Sequence, residues 1–243
     1  MSSAKIPTPR CVFVRHGQTE WSKSGQHTSR TDIDLTPFGV RQMEATGKSL
    51  IGDSPYNLIQ PENLTHIFIS PRTRAQHTTE LLLKEVDPTR LQHIQKITTE
   101  LIREWEYGDY EGKLTKEIRQ SRKDRGVDPP DHDWEIWEDG CENGESYQQV
   151  TERVDEIIRQ IKVIHKKAFE EKKASDIIVV GHGHILRCFA ARWVKKPINC
   201  NPQLLLDAGG VGVLSYQHQN VEEPALFLAG AFVVPVEEKG NYI

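Results

Sequence analysis

The chain has 243 residues, 37% hydrophobic and 27% charged, which suits one large α/β domain spanning 1–243 beneath a well-solvated surface. Its formal net charge of -4 argues against a general nucleic-acid binder, so any anion site must be a local cluster of cations. The four cysteines, Cys11, Cys141, Cys188 and Cys200, form no C-x-x-C pair, which argues against a zinc knuckle or a thioredoxin-like motif and fits a reducing compartment.

Residues 1–10 read as a Pro-containing lead-in without the apolar stretch of a signal peptide. No apolar run approaches the roughly 20 residues that span a bilayer, so no membrane partner is expected and the cytoplasm is the default compartment, with the nucleus left open. Residues 11–15, Cys-Val-Phe-Val-Arg, read as a buried strand delivering Arg15 and His16 to its carboxyl end, where open α/β sheets place their sites. Gly17 suits a sharp turn there. A neutral imidazole at that position can attack phosphorus, and the adjacent guanidinium can grip phosphoryl oxygens by two prongs. The polar loop 21–29 is either a surface turn or a rim that hydrogen-bonds phosphate and sugar oxygens, with Thr28 its leading candidate.

Thr36-Pro37 starts a helix, and Val40, Met43, Gly47, Leu50 and Ile51 give it an apolar face. Residues 66–70 form the next expected strand, and Ser70-Pro71-Arg72 turns into a helix with Ala75, Leu82 and Val86 inward. Arg72 then sits at a strand end and a helix start, a favourable place for an anion. A strand over 93–98 leads into residues 100–112, dense in acids and aromatics. Carboxylates among aromatic rings are poorly solvated, which favours the protonated form a general acid needs.

A short polar helix is expected over 113–125, and an irregular stretch, a lid or an insertion, over 126–144. A long helix follows from about Ser146, with Val150, Val154, Ile157 and Ile161 as core. Residues 176–180 give a strong buried-strand signal and end in Gly181-His182-Gly183-His184, a mirror of the opening stretch. His182 and His184 could alternatively ligate a metal, but no clear partner set accompanies them. Arg187 falls about one helical turn further along the same cleft. Closing strands are expected over 204–207, 211–216 and 227–234, with His218 as a surface residue or a ligand for a second phosphate or a sugar hydroxyl.

Arg15-His16-Gly17, Arg72, Glu104 and Gly181-His182-Gly183, in this order across nearly the whole chain, resemble the histidine phosphatase superfamily, which includes the cofactor-dependent phosphoglycerate mutases. The resemblance implies a phosphoglycerate mutase-like, three-layer α/β sandwich with a mostly parallel central sheet flanked by helices. It implies His16 as the phosphorylated nucleophile, Arg15, Arg72 and His182 as the phosphate pocket, and Glu104 as the proton donor. The segments 15–24, 103–112, 139–145, 207–216 and 223–226 resemble a fungal sugar-bisphosphatase branch, implying sedoheptulose 1,7-bisphosphate as substrate. On that basis Ser22, Trp105, Tyr107, Arg187 and His218 join Thr28 as candidate substrate contacts. No metal or other cofactor is expected, because guanidinium and imidazolium groups supply the charge. Ser22 and Gln26 stand where mutases carry asparagine and arginine, 113–125 lacks their paired arginines, and 194–203 is short. A broad-specificity phosphatase and a phosphoglycerate mutase are the alternatives, and nothing in the sequence specifies an oligomeric state.

Overall fold

The computed structural model describes residues 8–201 and 203–236; most of the lead-in 1–10 lies outside the described residues. Six strands, β1 Arg10–Arg15, β2 Leu64–Ile69, β3 Gln95–Thr98, β4 Asp176–Gly181, β5 Val211–Tyr216 and β6 Pro224–Leu226, form one sheet in the order β3-β2-β4-β1-β5-β6. The first four are mutually parallel, while β5 runs antiparallel to β1 and β6 antiparallel to β5. The helices are α1 Glu20–Ser24, α2 Pro37–Leu50, α3 Thr73–Leu83, α4 Thr115–Asp124, α5 Ile136–Asp139, α6 Tyr147–Glu171 and α7 Gly183–Trp193.

The central strands are apolar in their interiors, over 11–14 in β1 and 177–180 in β4, because both faces of the sheet are covered there. Successive side chains point to opposite faces, so Cys11, Phe13, Ile177 and Val179 join one core, under α6 and α7. Val12, Val14, Ile178 and Val180 join the other, under α2 and α3. This is the expected three-layer sandwich. The helix starts follow the capping chemistry: the Thr36 hydroxyl accepts from the Gly39 N–H at 3.0 Å, and Ser146 and Gln149 cap α6 reciprocally.

The C-terminal part departs from expectation. Residues 204–207 form no strand; they run as coil along the site. The expected strand 227–234 is instead a 3₁₀ turn, Leu228–Gly230, and a single bridge from Phe232 to Val211, with β6 lying just before it. Nor is 126–144 a lid. Trp134 and Trp137 are buried in the core beside Trp105, and Arg122 grips Asp128 at 2.5 Å, so the stretch is structural wall. Gly17 also has another reason than turning: its φ is not positive, but a Cβ there would stand 2.7 Å from the Gly39 carbonyl oxygen. It is a close-approach glycine that lets the loop after β1 lie on α2.

Candidate active site

The neighbouring parallel strands β1 and β4 finish together, Arg15 opposite Gly181, and so bring His16 and His182 side by side with ring centroids 5.1 Å apart. Ser70, following β2, completes a crevice at the carboxyl ends of three strands, with the coil 204–210 on its other side. The Gly209 N–H donates to the His16 carbonyl and the Arg15 N–H to the Gly210 carbonyl, which ties that coil to the histidine.

His16 is 5% exposed, and its Nδ1 lies 2.8 Å from the Gly17 carbonyl oxygen. A carbonyl only accepts, so Nδ1 carries the proton. Burial first, then the Arg74 and Arg15 guanidinium groups, hold the imidazole well below its ordinary titration range. The ring is therefore neutral, with its remaining lone pair on Nε2. This is the form a nucleophilic histidine requires.

His182 is fixed the other way. The Arg74 Nε–H donates to its Nδ1 at 3.2 Å, so Nδ1 is the acceptor and the Nε2–H donates to the Ser70 hydroxyl at 2.7 Å. Burial and Arg74 keep this ring neutral too. With both nitrogens engaged, His182 orients Arg74 rather than presenting a free lone pair.

The guanidinium that hydrogen-bonds His182 and lowers the pKa of both histidines is thus that of Arg74. Arg74 is fully buried, and besides His182 it donates to the Thr28, Ser29 and Thr31 carbonyls at 3.1–3.3 Å. Arg72 is the N-cap residue of α3 and half-buried, and its charge reaches His182 but ranks behind Arg74. Helical geometry adds Arg74 to the expected set: it shares the inward face of α3 with Ala75, Thr78 and Leu82, whereas Arg72 precedes the first turn. Arg15 comes from the opposite side, one prong donating to the Leu206 carbonyl at 2.7 Å. The Nε–H groups of both Arg15 and Arg72 are buried without a partner, which suits an anion as the missing acceptor.

Glu104 is 4% exposed and sits at the N-terminus of α7. Its Oε1 accepts from the Trp105 and Ile185 N–H groups at 2.9 and 2.8 Å, and its Oε2 from the His184 N–H at 3.0 Å. Three main-chain donors, shared between its two oxygens, hold this carboxyl firmly in position. Trp105, expected as a substrate contact, does not reach the cavity. Its indole is fully buried and donates to the Glu145 carbonyl, and its part in the site is its backbone N–H.

The site opens into a cavity of about 320 Å³ lined by Arg15, His16, Ser22, Thr28, Glu104, Tyr107 and Arg187 among others. Ser22 and Thr28 are on the wall as expected, although the Ser22 hydroxyl also closes the reciprocal cap of α1 with Thr19. The Tyr107 hydroxyl meets His184 Nδ1 at 2.7 Å. Arg187 lies over the Trp137 ring at 4.6 Å, which steadies its guanidinium plane. His218 is elsewhere. Because β5 runs antiparallel to β1, the chain leaving it emerges at the opposite end of the sheet, where the 77% exposed His218 side chain pairs with Glu223 at 2.6 Å. The His-x-His pair is split between Ser70 and Tyr107, and among the described residues no three His, Cys, Asp or Glu gather as a metal site. Reading the sequence also missed His27 and Asp207 and considered His184 only as a metal ligand, whereas all three are on the cavity wall. For His184, its place one residue past Gly183 at the start of a helix was the available signal; for His27 there was none beyond the polar loop.

No helix among the described residues is long and apolar enough to cross a membrane. A structure of a Mycobacterium tuberculosis open-reading-frame product aligns with a TM-score of 0.69 at 28% identity, covering 91% of this chain and 96% of that one. A Mycobacterium tuberculosis acid phosphatase is 32% identical over 91% of this chain and 93% of its own length. Sedoheptulose 1,7-bisphosphatase from Saccharomyces cerevisiae is 46% identical, covering 97% of each chain. The model of the histidine phosphatase superfamily (branch 1) matches residues 11–226, and this chain, with a neutral histidine among arginines at its strand ends, belongs to that superfamily and is a phosphatase.

Proposed function

We propose that the chain, acting as a single domain in the cytoplasm, hydrolyses a sugar bisphosphate, foremost sedoheptulose 1,7-bisphosphate, through a phosphohistidine at His16. The observation that carries this reading is the free Nε2 lone pair of a neutral His16 amid the Arg15 and Arg74 guanidinium groups. In the first step Nε2 attacks phosphorus in line, the N–P bond forms and the ester P–O bond breaks. Arg15 and Arg72, whose Nε–H groups have no protein partner, act with Arg74 to stabilise the phosphoryl oxygens, and His182 keeps Arg74 aligned. The Glu104 carboxylic acid gives its proton to the departing sugar oxygen. In the second step water attacks the phosphohistidine, Glu104 takes the water's proton, and orthophosphate leaves with neutral His16 restored. Arg187, stacked on Trp137 at the cavity wall, is the candidate for the second phosphate, with Ser22, Thr28 and Tyr107 as polar contacts. The 46% identity with the yeast sedoheptulose 1,7-bisphosphatase supports this substrate class.

Rapid-quench labelling tests the chemistry, and a panel of sedoheptulose 1,7-bisphosphate, fructose 1,6-bisphosphate and phosphoglycerates tests the substrate. Acid-labile label on His16 and release of orthophosphate from the bisphosphates are expected. Isomerised phosphoglycerate without orthophosphate would instead make the protein a mutase. Glu104→Gln should slow sugar phosphates by about 10²–10⁴-fold while sparing aryl phosphates, whose leaving groups need little protonation. Equal losses on both would remove Glu104 from the acid role.

A further inference from the structure

The cavity wall is rich in donors, the guanidinium groups of Arg15 and Arg187 foremost, and such a lining accepts any oxyanion. Besides the carboxyl groups of Glu104 and Asp207, His27 adds an acceptor that carries no charge. Its ring is 7% exposed, lines the cavity and packs edge-on against Tyr107 with centroids 4.8 Å apart. It also stacks on His184 at 5.8 Å with planes 11° apart. Its Nδ1 lies 2.8 Å from the Lys113 carbonyl oxygen, which can only accept, so Nδ1 carries the proton. Burial lowers the ring's tendency to take a second proton. The lone pair is therefore on Nε2, which makes no hydrogen bond among the described residues and is not among the buried atoms sealed from solvent without a partner.

A neutral ring nitrogen of this kind can be satisfied only by a donor. Phosphate dianions and carboxylates offer none, whereas a sugar hydroxyl does. Resting on the sugar-phosphate reading above, we propose that His27 is a specificity-determining residue whose Nε2 accepts a hydrogen bond from a hydroxyl of the sugar chain. It thereby favours polyhydroxylated phosphate esters over esters without a hydroxyl, such as aryl phosphates. The ring is well placed for this, held at Nδ1 by main chain and on its faces and edge by other rings, so little freedom is lost when the hydroxyl arrives. Sites built to hydrogen-bond a substrate hydroxyl discriminate strongly, because the analogue lacking it leaves a polar group unpaired.

The test compares wild type with His27→Phe, which keeps an aromatic ring and removes both nitrogens, and with His27→Gln, which returns an acceptor. Substrates are sedoheptulose 1,7-bisphosphate, its available deoxy analogues and p-nitrophenyl phosphate. His27→Phe should lower kcat/KM for the bisphosphate by about tenfold or more, mainly through KM, and leave p-nitrophenyl phosphate within about twofold. One deoxy analogue should be hydrolysed equally by wild type and His27→Phe, and His27→Gln should recover part of the loss. An equal fall on bisphosphate and aryl phosphate would show that His27 only supports the wall and would overturn the proposal, as would no fall on either. Wild type that cleaves p-nitrophenyl phosphate but no sugar phosphate would refute the substrate reading, and this inference with it. Wild type active on the bisphosphate with His27→Phe unchanged refutes the inference alone.

Discussion

The strands β1 and β4 end in nearly the same way, an apolar run and then a histidine beside a glycine, yet the two histidines have opposite chemistry. His16 gives its Nδ1 proton to a carbonyl and keeps a lone pair for the pocket. His182 receives a guanidinium N–H at Nδ1 and donates its other nitrogen to Ser70, so nothing is left over. Both rings are buried and neutral. What separates nucleophile from support is the polarity of one neighbour of each ring, an acceptor in one case and a donor in the other. Sequence-local similarity therefore does not transfer role, because the partner of His16 is the adjacent peptide while that of His182 comes from α3.

The largest effect that would test this contrast is His16→Ala, expected to cost on the order of 10⁴-fold or more in turnover on sugar and aryl phosphates alike, with no phosphohistidine formed. His182→Ala should still form phosphohistidine, but more slowly by about 10²–10³-fold, because Arg74 loses its alignment. A complete absence of label in that variant would mean His182 has a covalent part. Arg74→Lys should resemble His182→Ala, since a point charge cannot bridge His182 and three carbonyls, whereas Arg72→Lys should stay within several-fold. The reverse ranking would restore Arg72 to the centre.

Smaller still is the pH effect. Burial, Arg74 and Arg15 lower the His16 pKa, so the neutral nucleophile persists as pH falls through the ordinary histidine value of about 6.5. The acid limb of kcat/KM that belongs to His16 should lie below that value and move up in Arg74→Gln. An unmoved limb would show that Arg74 does not act on His16. His165 provides a control on which neither Arg15, Arg72 nor Arg74 acts. It is fully buried beside Tyr216 and held down to about 3, with burial as the leading cause. Its folded pKa is depressed, so the unfolded chain binds its proton first. The stability it contributes is complete above about 6.5 and is lost as pH falls toward the folded value, with a slope approaching about 1.4 kcal/mol per pH unit. Urea unfolding of His165→Phe between pH 7 and 5 should show a shallower decline than wild type, and an identical decline would assign the acid sensitivity to other groups.

Much of this was legible in the chain. The runs before His16 and His182 are apolar over 11–14 and 177–180 because their strands are covered there on both faces, and Thr36 and Ser146 announce their helices by side-chain caps. The choice between Arg72 and Arg74 was also encoded, in the spacing of Arg74 from Thr78 and Leu82 on the inward face of α3, but a strand-end argument favours the earlier residue. His218 could not be placed because strand direction is a tertiary fact: nothing local to 211–216 says that β5 runs against β1. Trp105 misled because an aromatic beside an acid packs equally well as core or as cavity wall, and here the Glu145 carbonyl takes its N–H.

The arginines of the site are positioned chiefly by main-chain oxygens, Leu206 for Arg15 and the Thr28, Ser29 and Thr31 carbonyls for Arg74. Carbonyl dipoles steer a guanidinium without cancelling its unit of charge, and the carboxylate that pairs with Arg74, Asp32, stands at the outer limit of an ion pair, 4.0 Å away. The attraction that draws the ester in therefore acts equally on the orthophosphate it releases. Product inhibition is built into this architecture, and its strength should track ionic strength as that of any charge-driven association does.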